Sequence, residues 1–318
     1  MVRPPTIRHV VTAGWPFIDI DAYAGIIAYA ELLQCQGLNA VAASTAPLNT
    51  SVTTTIRSWG APLERNLIPL PTDRYTLIDL SDERFFDRFV QSAQIERVID
   101  HHPGHDAGWS KRLGSSAIIE PVGAACTLVY RAWEQAGLLE NISPLSAKLL
   151  MCGILDNTLN FKAAICTPED EQAYARLLPL SGLATDWPHH YFTECQNQIL
   201  ANLETALVSD AKTIAFPGFG RELRTGQLVV WDASQITSRQ YEFMRQHFEA
   251  GHDNWFVNII GIERGHNTIF TTVKPVQQWL AQRFGVSFRA GCADTDRLWL
   301  RKELIAHDLA AMKRSQII

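Results

Sequence analysis

Three short runs of this 318-residue chain combine carboxylates and imidazoles in a way that suits chemistry. Asp19 and Asp21 lie two residues apart, Asp79 ends an apolar run, and Asp100-His101-His102 ends another. Hard carboxylate oxygens with one or two imidazoles suit Mn²⁺, Mg²⁺ or Co²⁺ better than a thiolate-rich zinc site would. Two close ions of that kind can share a carboxylate, activate a water and neutralise phosphoryl oxygens. A plainer role competes for Asp19 or Asp21, since either carboxylate can cap a following helix. Capping accounts for one carboxylate and leaves the histidines unexplained. The cysteines at 35, 126, 152, 166, 195 and 292 form no Cys-x-x-Cys pair, so neither a disulfide framework nor a cysteine zinc site is expected.

These residues can meet only if the elements that carry them converge. Residues 8–13, 39–43, 75–80, 96–100 and 116–120 read as strands, and 20–36, 51–59, 83–93, 124–135 and 146–155 read as helices. Such alternation predicts an α/β fold, a mostly parallel sheet flanked by helices, whose ligands bind beyond the C-terminal strand ends. All three acidic and histidine runs fall at such ends. The second half mixes strands at 228–231, 256–262 and 268–273 with helices at 185–207, 238–249, 276–284 and 301–313, and a polar turn region at 218–226. A second, smaller α+β domain is expected there. The expected division is 1–188, with the metal site, and 196–318, with substrate-binding residues.

Composition narrows the partners. With 47% apolar and 19% charged residues, the chain is suited to a packed core rather than disorder. The net charge of −5 divides unevenly: residues 1–190 carry 14 basic and 20 acidic side chains, residues 191–318 carry 14 and 13. That acidic balance argues against nucleic acid as a partner, which needs a basic face. No apolar run reaches the roughly 18 residues of a membrane span, and the first residues lack a signal-peptide core. A cytoplasmic protein with no membrane contact is expected, and pairing of exposed sheet edges offers a route to a homodimer.

Asp100-His101-His102 after an apolar strand resembles the signature of the DHH phosphoesterases. Residues 14–22 (Gly-Trp-Pro-Phe-Ile-Asp-Ile-Asp-Ala) resemble that family's first motif, and 77–79 (Leu-Ile-Asp) the second. Residues 120–127 resemble the segment after the DHH run, and 153–161 (Gly-Ile-Leu-Asp-Asn-Thr-Leu-Asn-Phe) the fourth motif. Farther on, 209–212 (Ser-Asp-Ala-Lys) and 300–303 (Leu-Arg-Lys-Glu) are similar to segments of the DHHA2-like domain of family II inorganic pyrophosphatases and prune-like exopolyphosphatases. The oligonucleotide- and cyclic-dinucleotide-cleaving branch carries a glycine-rich segment instead, and this chain has no Gly-Gly pair.

The resemblance implies a metal-dependent phosphohydrolase in which metal-activated water attacks a small phosphoanhydride or phosphoester in an interdomain cleft. Pyrophosphate, short polyphosphate and nucleotide-like compounds are the candidate substrates. It implies Asp19, Asp21, Asp79, His101 and Asn157 around a divalent metal, Mn²⁺ before Mg²⁺ or Co²⁺, with Asp79 bridging. His102 would face the substrate phosphate, and Lys212, Arg301 and Lys302 would grip its oxygens. Two positions depart from the pattern: Trp15 stands where the family places a histidine, and Asn157 where it places an aspartate. They sustain an alternative, a non-catalytic phosphate- or nucleotide-binding protein on a degenerated DHH fold. Asp156 and His105 are open as substitute ligands, and Trp15 either stacks on a nucleobase or fills the missing histidine's space.

Overall fold

The apolar strand runs of the first half do form a parallel sheet. The computed structural model describes residues 7–15 and 17–315, except for the side chains of 209, 210, 302 and 312–315. The chain divides into two units, one up to Tyr191 and one from Phe192 onward. In the first, β1 (Arg8–Thr12), α1 (Ile20–Cys35), β2 (Ala40–Ala42), α2 (Thr54–Ser58), β3 (Asp73–Ile78) and β4 (Ile95–Asp100) follow in turn. Then come α3 (Asp106–Leu113), β5 (Ala117–Ile119), α4 (Ala125–Gln135), α5 (Pro144–Asn157), α6 (Pro168–Ser181) and the start of α7 (Trp187–Ala201).

The strand order is β2-β1-β3-β4-β5, and every pairing is parallel. Parallel strands with both faces covered read as continuous apolar runs, as residues 75–78 and 98–99 do. The order reverses between β1 and β3, and such a switch point opens a crevice at the strands' carboxyl ends. Helix α1 is buried on nearly every side from Ile20 to Leu33, which its apolar sequence permits. It packs on α5, where Gly153 is required: a Cβ there would meet Cys126 Sγ at 2.5 Å and Asp21 at 3.1 Å.

The second unit holds the rest of α7, α8 (Leu203–Asp210), β6 (Lys212–Phe216), β7 (Arg221–Val230), α9 (Ser238–Glu249) and β8 (Trp255–Gly261). It ends with β9 (His266–Phe270), α10 (Lys274–Phe284), β10 (Cys292–Asp294) and α11 (Arg301–Ser315). Its sheet runs β10-β9-β8-β7-β6, antiparallel except for β7 with β8. Trp255 and Phe256 are neighbours in β8 and point to opposite faces, and each belongs to a separate apolar cluster. Helices therefore cover both faces of this smaller sheet.

Two sequence expectations fail. Residues 83–93 form two single 3₁₀ turns, Glu83–Phe85 and Ser92–Gln94, rather than a helix. Between them Phe86 is drawn into an antiparallel bridge with Gly14, and the buried Asp87 carboxylate accepts from Thr45 N–H and Oγ1 at 2.8 Å each. These tertiary bonds replace the intrahelical ones. The supposed polar turn at 218–226 begins β7 at Arg221, because pairing with β6 satisfies its backbone. Helices α3 and α6 and strands β6 and β10 were not anticipated.

Candidate metal centre

β3 stops at Ile78, and Asp79 takes a left-handed backbone (φ 57) while its N–H donates to Ile99 O at 2.8 Å. A non-glycine residue held there costs about 1–3 kcal/mol, and such strain collects at functional sites. At the end of β4, buried Asp100 fixes both histidines: its Oδ1 accepts from His101 N–H (2.7 Å), His102 N–H (3.1 Å) and His102 Nδ1 (2.9 Å). The His101 Nδ1 lies 3.0 Å from Val122 O and donates to it, which turns Nε2 toward Asp79 Oδ1 at 3.4 Å and Asp21 Oδ2 at 3.9 Å. A second partner that orients a ring in this way is what metal-ligating histidines show.

Among the described residues, donor atoms of Asp79, His101 and His102 all lie within 4.8 Å of one another. Asp79 Oδ1 is buried and has no hydrogen-bond partner. An ionised carboxylate left in that state is costly, and burial lifts the Asp79 pKa to about 7; the nearby charges of Asp21 and Asp19 add to the rise and His101 opposes it. Burial disfavours the His101 cation, but the close approach of the Asp79 carboxylate at 3.4 Å and the charge of Asp21 outweigh this and raise its pKa to about 10. These residues fit a divalent cation, which would satisfy the orphaned oxygen and take the His101 lone pair.

The carboxylates near α1 are placed differently. Asp19 caps α1, with Oδ1 accepting from Ala22 N–H at 3.0 Å. Asp21 accepts from Ala125 N–H and Cys126 N–H at 2.8 Å each, at the N-terminus of α4, and from the Asn157 side-chain amide. The structure therefore brings Asp21 and Asn157 together and sets Asp21 beside His101, while Asp19 serves as a helix cap. Asp156 accepts from Tyr191 Oη at 2.8 Å, and burial pushes its pKa up to about 7. His105 lies partly exposed, 3.7 Å from Asp82.

In the second unit, exposed Lys212 pairs with Thr225 across β6 and β7. Gln227, two residues along β7 and so on the same face as Thr225, accepts from the backbone N–H of Arg301 through Oε1 at 2.8 Å. Lys212 and the first residue of α11 thus share one region of that sheet. The Lys302 side chain lies outside the described residues.

No family model matches the chain. A Deinococcus radiodurans protein named "Probable manganese-dependent inorganic pyrophosphatase" is 30% identical over 173 residues, 52% of this chain and 52% of that protein. A Bacillus licheniformis protein of the same name is 28% identical over 227 residues, 70% of this chain and 72% of that protein. The match thus spans about half the length of the first relative. A Methanococcus jannaschii crystal structure, assigned to the family II inorganic pyrophosphatases, has a TM-score of 0.63 at 18% identity and covers 95% of this chain and 99% of its own. The chain is thus similar in sequence to proteins named manganese-dependent inorganic pyrophosphatases and shares the fold of that crystal structure.

The site also contains residues that motif reading passed over. Val122 contributes only a carbonyl, which no residue type signals. Phe17 and Phe85 line a 390 Å³ cavity with Trp15, Asp19, Asp79 and His102. Phe85 was hidden by the mistaken helix at 83–93, and its place beside Trp15 follows from a loop–loop hydrogen bond.

Proposed function

We propose that this chain is a DHH-type, manganese-dependent hydrolase of a small phosphoanhydride or phosphoester. The observation that carries this reading is Asp79 Oδ1, buried and without a hydrogen bond, 3.4 Å from a His101 ring whose other nitrogen is already engaged. The names of the relatives support manganese and a phosphoanhydride. When bound, the cation supplies charge neutralisation and a lowered pKa for water. Asp79 and His101 would hold it, with Asp21, Asp19 and Asn157 around them.

The chain's own residues account for the remaining chemistry. The overall reaction joins a water oxygen to phosphorus, breaks the bond to the leaving oxygen and puts a proton on that oxygen. His102 is suited to deliver that proton, since its Nδ1 is held by Asp100, its side chain is 60% exposed, and the Asp100 hydrogen bond raises its pKa. Lys212, Arg301 and Lys302 are proposed to bind phosphate oxygens, Arg as a planar fork and Lys as a point charge.

Phosphate release from pyrophosphate, tripolyphosphate and nucleotides with Mn²⁺ tests the reading. At least one should turn over, and Asp79→Asn should lose the activity by a hundredfold or more. A folded chain inert on every substrate with Mn²⁺, Mg²⁺ and Co²⁺ overturns it. The Asn157 amide, which donates to Asp21 rather than adding a negative charge, favours the binding-only alternative. Phosphate binding without turnover would establish that alternative.

A further inference from the structure

The 390 Å³ cavity beside Asp79 and His102 has a wall that phosphate chemistry alone does not require. Trp15, Phe17 and Phe85 line it, at 50%, 55% and 44% exposure. Among the described residues, Phe243 is the one other exposed phenylalanine or tryptophan. Three of the four exposed phenylalanines and tryptophans among the described residues therefore line this one cavity, and clustered exposed apolar residues mark a binding site more often than scattered ones do.

The backbone fixes that wall. Trp15 N–H donates to Phe85 O at 3.0 Å, and Gly14 bridges Phe86. A Cβ on Gly14 would stand 3.3 Å from Phe85 O, so the loops after β1 and β3 approach closely because residue 14 is glycine. Arg84, next to Phe85 in the chain but outside the cavity lining, is held by Asp82 through Nε and Nη2 while its guanidinium lies 5.7 Å from the Phe85 ring. A bare inorganic phosphate chain gains nothing from three rings and little from an arginine already paired. A phosphate compound that carries a flat aromatic group gains from both ends of the cavity, because every nucleobase has a face that stacks on indole or phenyl.

We propose that this site takes a nucleotide, with the phosphate at the Asp79–His102 end and the base stacked on the Trp15–Phe85 wall. The proposal rests on the phosphohydrolase reading above and names its substrate class. The cavity volume falls within the range of about 300–1,000 Å³ in which small-molecule sites lie. Trp15 then has a positive role: where the family pattern has a metal ligand, this chain has a recognition surface.

Calorimetric titration of the full, Mn²⁺-loaded chain with two non-hydrolysable probes tests it. α,β-Methylene-ADP and methylenediphosphonate share the phosphonate head and differ by the adenosine. The adenosine probe should bind at least tenfold more tightly. Trp15→Ala and Phe85→Ala should each shrink that ratio, to within about threefold when combined, whereas Trp15→Phe should keep it. Equal binding of the two probes, or a ratio that survives the alanine variants, overturns the nucleotide assignment and leaves the phosphohydrolase reading standing. Binding of neither probe overturns both.

Discussion

Asp79 and Asp21 are both carboxylates within 4 Å of the same imidazole, with side chains 8% and 1% exposed, yet their surroundings are opposite. Asp21 is saturated by two backbone N–H groups and an amide, and it ties α1 to the start of α4 and the end of α5. Asp79 sits past a strand end, and its Oδ1 faces the His101 and His102 rings at 3.4 and 3.5 Å without a hydrogen bond. The same residue type is a structural tie in one place and, under the proposed function, a candidate metal ligand in the other. Backbone N–H direction, rather than distance to His101, separates the two.

Two substitutions break this comparison at its strongest point. Asp79→Asn should lower Mn²⁺ affinity by a hundredfold or more, while the metal-free chain melts at the same or a higher temperature because a strained buried charge is gone. Asp21→Asn should destabilise the metal-free chain by about 1–3 kcal/mol, since an amide NH₂ must then face the Ala125 or Cys126 N–H. Thermal melts in EDTA, with calorimetry for the metal, read both effects. Equal destabilisation by the two variants would show that Asp79 is a structural tie as well.

Acid–base behaviour sharpens the same contrast. The Asp79 and Asp156 pKa values stand near 7, chiefly because of burial. A carboxyl whose folded pKa is raised binds protons more readily when folded, so its stabilising effect is complete below the ordinary carboxylate range and is lost as pH rises through 7. His101, raised to about 10 against the opposing effect of burial, acts in the same direction, with its contribution lost as pH rises from the ordinary histidine value through 10. Melting temperature in EDTA should therefore fall between pH 6 and 8. With saturating Mn²⁺ the slope should flatten or reverse, because ligation requires the ionised carboxylate and neutral imidazole. Parallel slopes with and without metal would mean that the ion binds elsewhere.

How far the sequence could reveal these differences depended on where each signal resided. The parallel sheet was legible because β-branched and apolar runs alternate with helical periods, and Asp79 and the His101–His102 pair were legible because they end such runs. Asp21's engagement was not, because its partners are backbone groups of Ala125 and Cys126, more than a hundred residues away. The helix expected at 83–93 failed for the same kind of reason: Gly14, Thr45 and Asp87 act across the fold, and local periodicity carries no trace of them. Trp15 was visible as a departure, but its partnership with Phe85 depends on a bond between two loops.

Asn157 gives the subtlest way to test the contrast, because it stands between the two kinds of carboxylate. Its amide donates to Asp21 Oδ2, so in the metal-free chain it supplies the third hydrogen bond that holds the Asp21 carboxylate in place. Asn157→Asp removes that donor and sets two carboxyls against each other. Like charges at such range repel by about 4 kcal/mol at an effective dielectric near 20, an amount that protonation of one partner reduces. The metal-free melting temperature should fall by a few degrees, while Mn²⁺ affinity rises several-fold as the ion gains an anionic neighbour. An opposite pairing of outcomes, with unchanged stability and weaker metal binding, would place Asn157 outside the metal's reach and leave Asp21 a purely structural tie.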